Sequence, residues 1–426
     1  MNLFNRLFRP PFPVPAQHRS NFMHLYLDVF WFGVLNGSTL VFLAIYATRA
    51  GASPQQMGLL TAVPALVNLF VTLPAGIWAR RYKIHTITCW STALTRIFYL
   101  LFAPLPLLVA PDQQVGAVIA IILVMSIPGT VAAVVGNAFF AESVPPEWRG
   151  HVVGTRNALL AATTMITSLI SGQILERMPF PTGYQVVFGI GFIGAALSLL
   201  HIFLIRPLAA EETENQSLLA PALSGLKGLL RFEILSGPFG RVLVLLFLYN
   251  LSVFIGQPVF PLYQVRVLFF TDQTISLGTG VFWALHFIGA TQSGTIGRRL
   301  GNQKMSAIGI LMTAISTSLF VVSYHPAIYV ISNILAGLGW SMIGGGVLNY
   351  LLERVPANDR PPYLAWYNLA VNAASLTGAM LGSLIAASIG LVGAMLLVIT
   401  ARLIAALAIY RWGSSSQSLQ EVASTS

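Results

Sequence analysis

Charged residues are scarce in this chain. Of its 426 residues, only 8% are Asp, Glu, Lys or Arg, whereas 56% are hydrophobic. Soluble domains carry about 25% charged residues, so this chain has too little charge to coat a water-facing surface of its size. The composition therefore excludes a soluble protein and favours a chain that lies in a lipid bilayer.

Several chemical signatures are also absent. Cys89 is the only cysteine, which excludes an intramolecular disulfide and a cysteine-based metal or redox site. The sequence has no Gly-x-x-x-x-Gly-Lys-Ser/Thr loop, no His-Glu-x-x-His and no Gly-x-Ser-x-Gly, and its seven histidines are scattered. We therefore expect no nucleotide, metal or other cofactor, and a membrane-embedded enzyme is the weaker alternative.

Long apolar runs recur along the whole chain. A helix needs about 20 apolar residues to cross a bilayer. Because backbone groups cannot stay unpaired in lipid, such runs must be helices. The sequence predicts an all-α membrane protein with about 12 transmembrane helices, at residues 22–47, 56–79, 87–109, 115–140, 152–175, 183–205, 242–264, 275–297, 305–324, 327–352, 363–388 and 390–410.

The connection between Arg206 and Arg241 is longer than the other links. It is polar at first and amphipathic from Leu218 to Phe232, which is typical of a tether with a helix on the membrane surface. It divides the chain into an N-terminal six-helix half at 1–206, a cytoplasmic linker at 207–240 and a C-terminal six-helix half at 241–426.

Basic residues are distributed unevenly between the two sides of the predicted bundle. With an even number of crossings both termini lie on one side, and 17 of the 23 Lys and Arg residues fall in the tails and loops of that side. The opposite side carries Arg49, Arg177 and Arg266. Loops rich in Lys and Arg stay in the cytoplasm. We therefore expect a multi-pass cell-membrane protein with both termini cytoplasmic, and the net charge of +10 requires no nucleic-acid partner.

The cytoplasmic loops repeat between the two halves. Gly76-Ile-Trp-Ala-Arg80-Arg81 follows the second predicted helix, and Gly294-Thr-Ile-Gly-Arg298-Arg299 follows the eighth at an offset of 218 residues. A second pair matches without a gap at an offset of 211, and it joins Glu142, Val144, Pro145, Arg149 and Asn157 to Glu353, Val355, Pro356, Arg360 and Asn368. Two repeats in the same order indicate an internal duplication into two pseudo-symmetric six-helix bundles.

These loops resemble those of the major facilitator superfamily. The resemblance implies a solute cavity lined by helices one, four, seven and ten, and transport by rocking of the two halves. The family's loop acid is replaced by Arg80 and Arg298, whereas the next basic residue is retained as Arg81 and Arg299. The fifth predicted helix lacks the Gly-Pro-x-x-Gly-Gly signature of the family's proton-driven drug exporters, which weakens assignment to that group.

The duplicated loops predict a cytoplasmic gate. It comprises Arg80, Arg81, Glu142, Arg149, Arg298, Arg299, Glu353 and Arg360. We expect the two arginine pairs and the two glutamates to form a latch between conformations. An exposed ion pair contributes only about 0–1 kcal/mol, which is enough to shift the populations of two states. The alternative is that the arginines only set the topology.

A few charged residues fall inside apolar segments, where each costs about 2.5–3.5 kcal/mol. Asp28 is the only acid well inside a predicted helix, and with Arg96 in the third helix it forms a candidate substrate or proton site. The alternative places Asp28 at the cytoplasmic interface as a helix-start residue. Arg156 and Arg402 lie near helix ends, and we expect both to reach back to water.

Uncharged polar and aromatic residues on the cavity-lining helices suggest a solute site. The candidates are Asn36, Gln257, Asn333 and Trp340. We therefore expect a secondary active or facilitative transporter of a small solute, with proton coupling and facilitated diffusion both open. The alternative is a transporter-like sensor or assembly partner that moves nothing. A monomer is expected because each chain carries both halves.

Overall fold

The computed structural model describes residues 16–79, 81–207, 231–356 and 360–413. Every regular element in these ranges is helical. Eleven helical stretches among the described residues are long and apolar enough to cross a membrane. The predicted all-α membrane fold is therefore confirmed.

The helices up to residue 207 follow the predicted order and extend a few residues beyond most of the predicted apolar runs. Helix α1 passes through a π-helical turn at Asn36–Leu40 into α2, and both belong to the first span. The bounds are α1 Ala16–Leu35, α2 Val41–Arg49, α3 Pro54–Ala79, α4 Ile84–Ile97, α5 Leu105–Leu108, α6 Gln114–Ser143, α7 Pro146–Arg177 and α8 Thr182–Leu204.

The third predicted span, at 87–109, is not one regular helix. Helix α4 continues as a 3-10 helix at Phe98–Phe102, and the chain then turns before α5. Pro104 and Pro106 lack a backbone N–H group, so a regular helix cannot continue through them. Residues 84–102 nevertheless rise about 31 Å, which is close to the thickness of the hydrocarbon core. This segment supplies the remaining crossing of a twelve-helix fold.

The helices from residue 231 onward also match the predicted spans. The seventh span is interrupted at Gln257 and Pro258, where α10 ends and α11 begins. The bounds are α9 Glu233–Ser236, α10 Pro238–Gly256, α11 Val259–Arg266, α12 Asp272–Leu300, α13 Asn302–Val321, α14 Pro326–Leu352, α15 Arg360–Ser388 and α16 Gly390–Trp412.

The chain forms two compact units. The first comprises Met1–Leu43 and Phe70–Ala220, and the second comprises Ala44–Leu69 and Pro221–Ser426. Residues 44–69, which the sequence analysis assigned to the N-terminal half, therefore group with the second unit here. Most of the predicted linker, including the amphipathic segment up to residue 230, lies outside the described residues, so the division at 207–240 stays a prediction.

Close helix contacts hold the first unit together. Helix α1 packs against α7 and α8. A Cβ atom at Gly194 of α8 would lie only 2.8 Å from the Trp31 carbonyl oxygen of α1. In the same unit, Phe22, Trp148 and Ile202 belong to one buried apolar cluster. Small residues at helix crossings are typical of membrane bundles, where close packing replaces the hydrophobic effect.

The second unit uses the same kind of contact. Helix α14 packs against both α12 and α13. Gly309 and Gly339 face each other, and a Cβ atom at Gly339 would lie 2.9 Å from the Gly309 carbonyl oxygen. The core of this unit includes the fully buried Leu246 and Tyr350. These contacts bring α10, α13, α14 and α16 close enough to enclose a polar interior.

Candidate functional site

A cavity of about 680 Å³ lies inside the second unit. Its wall includes Gln257, Asn333 and Trp340, which are three of the four cavity residues predicted from the sequence. The fourth, Asn36, lies in the π-helical turn of the first unit, where its Nδ2 donates to Thr164 Oγ1 at 3.1 Å. The volume falls in the range of about 300–1,000 Å³ that is typical of small-molecule sites.

The polar groups of this cavity come from several helices and are partly hydrogen-bonded to one another. Gln264 Nε2 donates to the Tyr329 hydroxyl at 3.1 Å. Asn333 Nδ2 donates to the Tyr329 carbonyl oxygen at 2.9 Å. Ser316 Oγ donates to the Ser332 carbonyl oxygen at 2.8 Å. The wall also contains the aromatic side chains of Phe254, Phe260, Phe320 and Trp340. The cavity thus combines fixed polar groups with rings that can contact an apolar surface.

Arg402 is the charged residue of this cavity. Its Nη1 donates to Thr317 Oγ1 at 2.6 Å and to the Thr313 carbonyl oxygen at 3.1 Å. Its Cζ lies 5.5 Å from the centre of the Phe260 ring. Arg402 is only 6% exposed, so the expectation that it reaches back to water is wrong. It is the thirteenth residue of α16, about 15 Å from the nearer helix end, which is too deep for its side chain to reach the interface.

The first unit contains a second cavity, of about 490 Å³, and its wall includes both Asp28 and Arg96. Asp28 Oδ2 lies 3.1 Å from Arg156 Nη2, and Asp28 Oδ1 accepts a bond from Ser198 Oγ at 2.7 Å. Arg96 Nη2 donates to the same Ser198 oxygen at 3.3 Å. The predicted residues are therefore brought together, but through Ser198, and the ion-pair partner of Asp28 is Arg156.

This arrangement corrects the expectation for Arg156. The Arg156 side chain does not simply reach back to water. It pairs with Asp28, and its Cζ lies 5.7 Å from the centre of the Phe140 ring. Arg96 is stacked in a similar way, with its Cζ 4.6 Å from the centre of the Phe32 ring. Two guanidinium groups thus share one carboxylate, so the cluster has a formal excess of one positive charge.

In each unit a guanidinium group lies at the same position along a pair of equivalent helices, α4 and α13. Helices α4 and α13 begin at Ile84 and Asn302, and this offset of 218 equals that of the first repeated loop. At that offset Arg96 of α4 corresponds to Ala314 of α13. Arg402 of α16 binds Thr313 and Thr317 on either side of that position. The internal duplication therefore keeps a guanidinium at this level, although different helices supply it.

The predicted gate residues are mostly exposed, and Arg80 lies outside the described residues. Arg149 donates to the carbonyl oxygens of Ala141 at 2.9 Å and Val144 at 3.2 Å, which caps the end of α6. Glu353 accepts a bond from Asn302 Nδ2 at 2.6 Å. Arg298 donates to Thr295 Oγ1 at 3.2 Å, whereas Arg81, Arg299 and Arg360 are exposed.

No ion pair joins Glu142 or Glu353 to an arginine within the part of the chain that the structure describes. The two ion pairs found there are Asp28–Arg156 and Arg49–Asp272. The latch therefore stays a prediction.

Several cavity residues escaped the sequence analysis. Tyr249, Tyr329 and Tyr367 line the cavity of the second unit together with Arg402. Tyrosines are common in membrane helices, and their spacing does not show which way a helix is rotated. For Arg402 there was a usable signal, because its distance from both ends of the apolar run exceeds the reach of the side chain.

Comparison with known protein families supports the resemblance seen in the loops. The sequence profile of the Major Facilitator Superfamily matches residues 29–271 and 242–425. The quinolone resistance protein NorA of Staphylococcus aureus is 22% identical over 141 residues. That match covers 33% of this chain and 36% of NorA, so it spans about a third of that relative's length.

Solved transporter structures have the same fold. A D-xylose-proton symporter superposes with a TM-score of 0.69 at 17% identity, covering 93% of this chain and 99% of the other. A bacterial homologue of the iron transporter ferroportin gives a TM-score of 0.70 at 13% identity, with the same coverage. The inward-open xylose transporter XylE from E. coli gives 0.68 at 15% identity, covering 96% and 99%. Since the profile matches nearly the whole chain, the protein belongs to the Major Facilitator Superfamily.

Proposed function

We propose that this protein carries a small solute across the cell membrane by alternating access, and that the cavity of the second unit forms part of the solute site. The observation that carries the proposal is the convergence of Gln257, Asn333 and Trp340 on one cavity of about 680 Å³. Amide groups there can orient a solute, and the indole ring can cover an apolar face. The chain is expected to act as a monomer with both termini in the cytoplasm.

Solute recognition is tested first by binding. Purified protein is screened by thermal shift against sugars, amino acids, drugs and organic anions, and each stabilising compound is then assayed for flux in proteoliposomes. Flux of a stabilising compound that is lost in Trp340→Ala supports the proposal. Binding without flux would favour the alternative of a transporter-like sensor.

Proton coupling is the second part of the proposal, and Asp28 is its candidate residue. Asp28 lines a cavity and is held by an ion pair and a hydroxyl, so binding a proton would release Arg156. Flux is measured with and without a pH gradient in the wild type and in Asp28→Asn. The exposed loop acid Asp112 offers the matched control Asp112→Asn. Wild-type flux that is indifferent to the gradient would remove proton coupling and leave facilitated diffusion.

A further inference from the structure

Arg402 has more hydrogen-bond donors than the second unit uses. A guanidinium carries five N–H groups. Nη1 uses its two on Thr313 and Thr317, while Nε is buried and has no partner. No hydrogen bond of Nη2 is found among the described residues. Nε and Nη2 form one edge of the guanidinium, so the unused donors lie side by side on the same edge.

The charge of Arg402 is also uncompensated within its surroundings. The described wall of the cavity contains no Asp or Glu. The face of Phe260 offsets part of the charge, because an aromatic ring attracts a cation. A buried cation with unpaired donors is costly in a membrane protein and marks a functional site. An anion that enters the cavity would supply the missing partner.

We propose that Arg402 binds the carboxylate of an organic monoanion, and that the body of this ligand is apolar or aromatic. The inference rests on the proposed function, whose solute class it names. Two parallel N–H groups on one guanidinium edge match the two oxygens of a planar carboxylate. A single guanidinium balances a single negative charge. The aromatic side chains Phe254, Phe320 and Trp340 in the same wall provide the surface for the body of the ligand.

The counterpart in the first unit shows what the second one lacks. There Arg156 is paired with Asp28, and Arg96 reaches the same carboxylate through Ser198. Aligning the flanking apolar residues places Asn250 of the second unit opposite Asp28, and Asn250 lines the cavity without a charge. The first unit therefore holds an internal acid for its arginines, whereas Arg402 is left available for an external one.

The test compares matched carboxylates and amides on the purified full-length protein. Benzoate, 2-naphthoate and 3-phenylpropionate are paired with benzamide, 2-naphthamide and 3-phenylpropionamide, and phenyl phosphate is added as a dianion. Thermal shift and titration calorimetry measure binding. At least one carboxylate is expected to bind about 10- to 100-fold more tightly than its amide, since hydrogen bonds to charged groups are lost in the amide.

Variants locate the binding group. Arg402→Gln and Arg402→Lys are each expected to weaken carboxylate binding about 10-fold or more, because the lysine keeps the charge but loses the two-donor edge. Arg411→Gln, an exposed residue on the same helix, is the matched control and should bind as the wild type does. If the Arg402 variants do not fold, Trp340→Ala provides a second route, and it should weaken 2-naphthoate more than benzoate.

The outcomes separate this inference from the proposed function. Any one of four results would overturn the inference. Amides could bind as tightly as carboxylates, phenyl phosphate could bind more tightly than either, a folded Arg402→Gln could bind carboxylates as the wild type does, or no carboxylate could bind at all. Flux of a neutral solute alongside any of these results would leave the proposed transport intact. Carboxylate binding that depends on Arg402 but gives no flux would support the site and contradict transport.

Discussion

Replacing Asp28 should destabilise the first unit more than replacing its ion-pair partner Arg156. The reason is the charge balance of the cluster. Asp28→Asn leaves Arg96 and Arg156 without an acid, so the uncompensated charge rises from one to two. Arg156→Gln leaves Asp28 with Arg96, which already shares the Ser198 hydroxyl with it, so the cluster becomes neutral.

The expected magnitude follows from the geometry of this pair. Asp28 accepts one bond from a cation at 3.1 Å and one from a hydroxyl at 2.7 Å. Breaking a fully buried pair costs about 3–5 kcal/mol, and a hydrogen bond to a charged group contributes about 1.5–3 kcal/mol. The Asp28 side chain is 9% exposed and the Arg156 side chain is 25% exposed, so water offsets part of the cost of breaking the pair. We expect about 2–3 kcal/mol for Asp28→Asn and about 1 kcal/mol or less for Arg156→Gln.

A double-mutant cycle measures the interaction. The free energy of unfolding is determined in mixed detergent and SDS for both single variants and for Asp28→Asn/Arg156→Gln, with Asp112→Asn as the exposed-acid control. The double variant should be more stable than Asp28→Asn alone, because it removes one of the two uncompensated cations. Equal costs for the single variants, or strictly additive costs in the double variant, would refute the charge-balance argument.

Three further predictions concern other contacts. Arg49→Gln removes the contacts of Arg49 with Asp272 and with the Phe270 carbonyl oxygen, both at 3.0 Å. This change should lower the free energy of unfolding by about 1–2 kcal/mol, and an unchanged melting temperature would contradict the prediction. Gly339→Ala should lower the free energy of unfolding by about 1–3 kcal/mol, because the new Cβ would meet the Gly309 carbonyl oxygen. Gly344 lies on the same helix with open space around it, so Gly344→Ala is the control and should be neutral or stabilising in a thermal unfolding assay of both variants. If the latch exists, Glu142→Ala and Glu353→Ala should each make introduced cysteines easier to label from the cytoplasmic side. Glu147→Ala changes an exposed glutamate and is the control. Unchanged labelling in both latch variants would exclude the latch.

The helices could be predicted from the sequence because lipid imposes a simple rule. Every backbone group must be paired inside the membrane, so each apolar run of sufficient length becomes a helix. The rule failed locally at residues 98–108, where Pro104 and Pro106 replace a regular helix by a 3-10 helix and a turn. It also could not show that residues 44–69 group with the second unit, because grouping depends on tertiary contacts that hydropathy does not report.

The interior side chains were harder to predict, and each difference has a physical cause. Asp28 could be recognised as unusual because an acid in lipid is rare, but its partner depended on helix rotation and proved to be Arg156. For Arg156 the prediction considered only the distance from the helix end, whereas Arg402 lies too far from either end of its helix for the side chain to reach water. An arginine that finds hydroxyls and carbonyl oxygens inside a bundle has no need to reach water.

The duplication explains why the fold was easier to infer than the chemistry. The loops keep their spacing residue for residue, at offsets of 218 and 211, because they connect helices that must cross the membrane in the same order. The interior has diverged at equivalent points, with Asp28 opposite Asn250 and Arg96 opposite Ala314. One unit therefore contains the candidate acid for proton exchange, and the other contains an arginine with unused donors. If both proposals hold, coupling and solute recognition reside on different copies of one ancestral bundle, and Asp28→Asn should change the response to a pH gradient without changing the preference for carboxylates over amides.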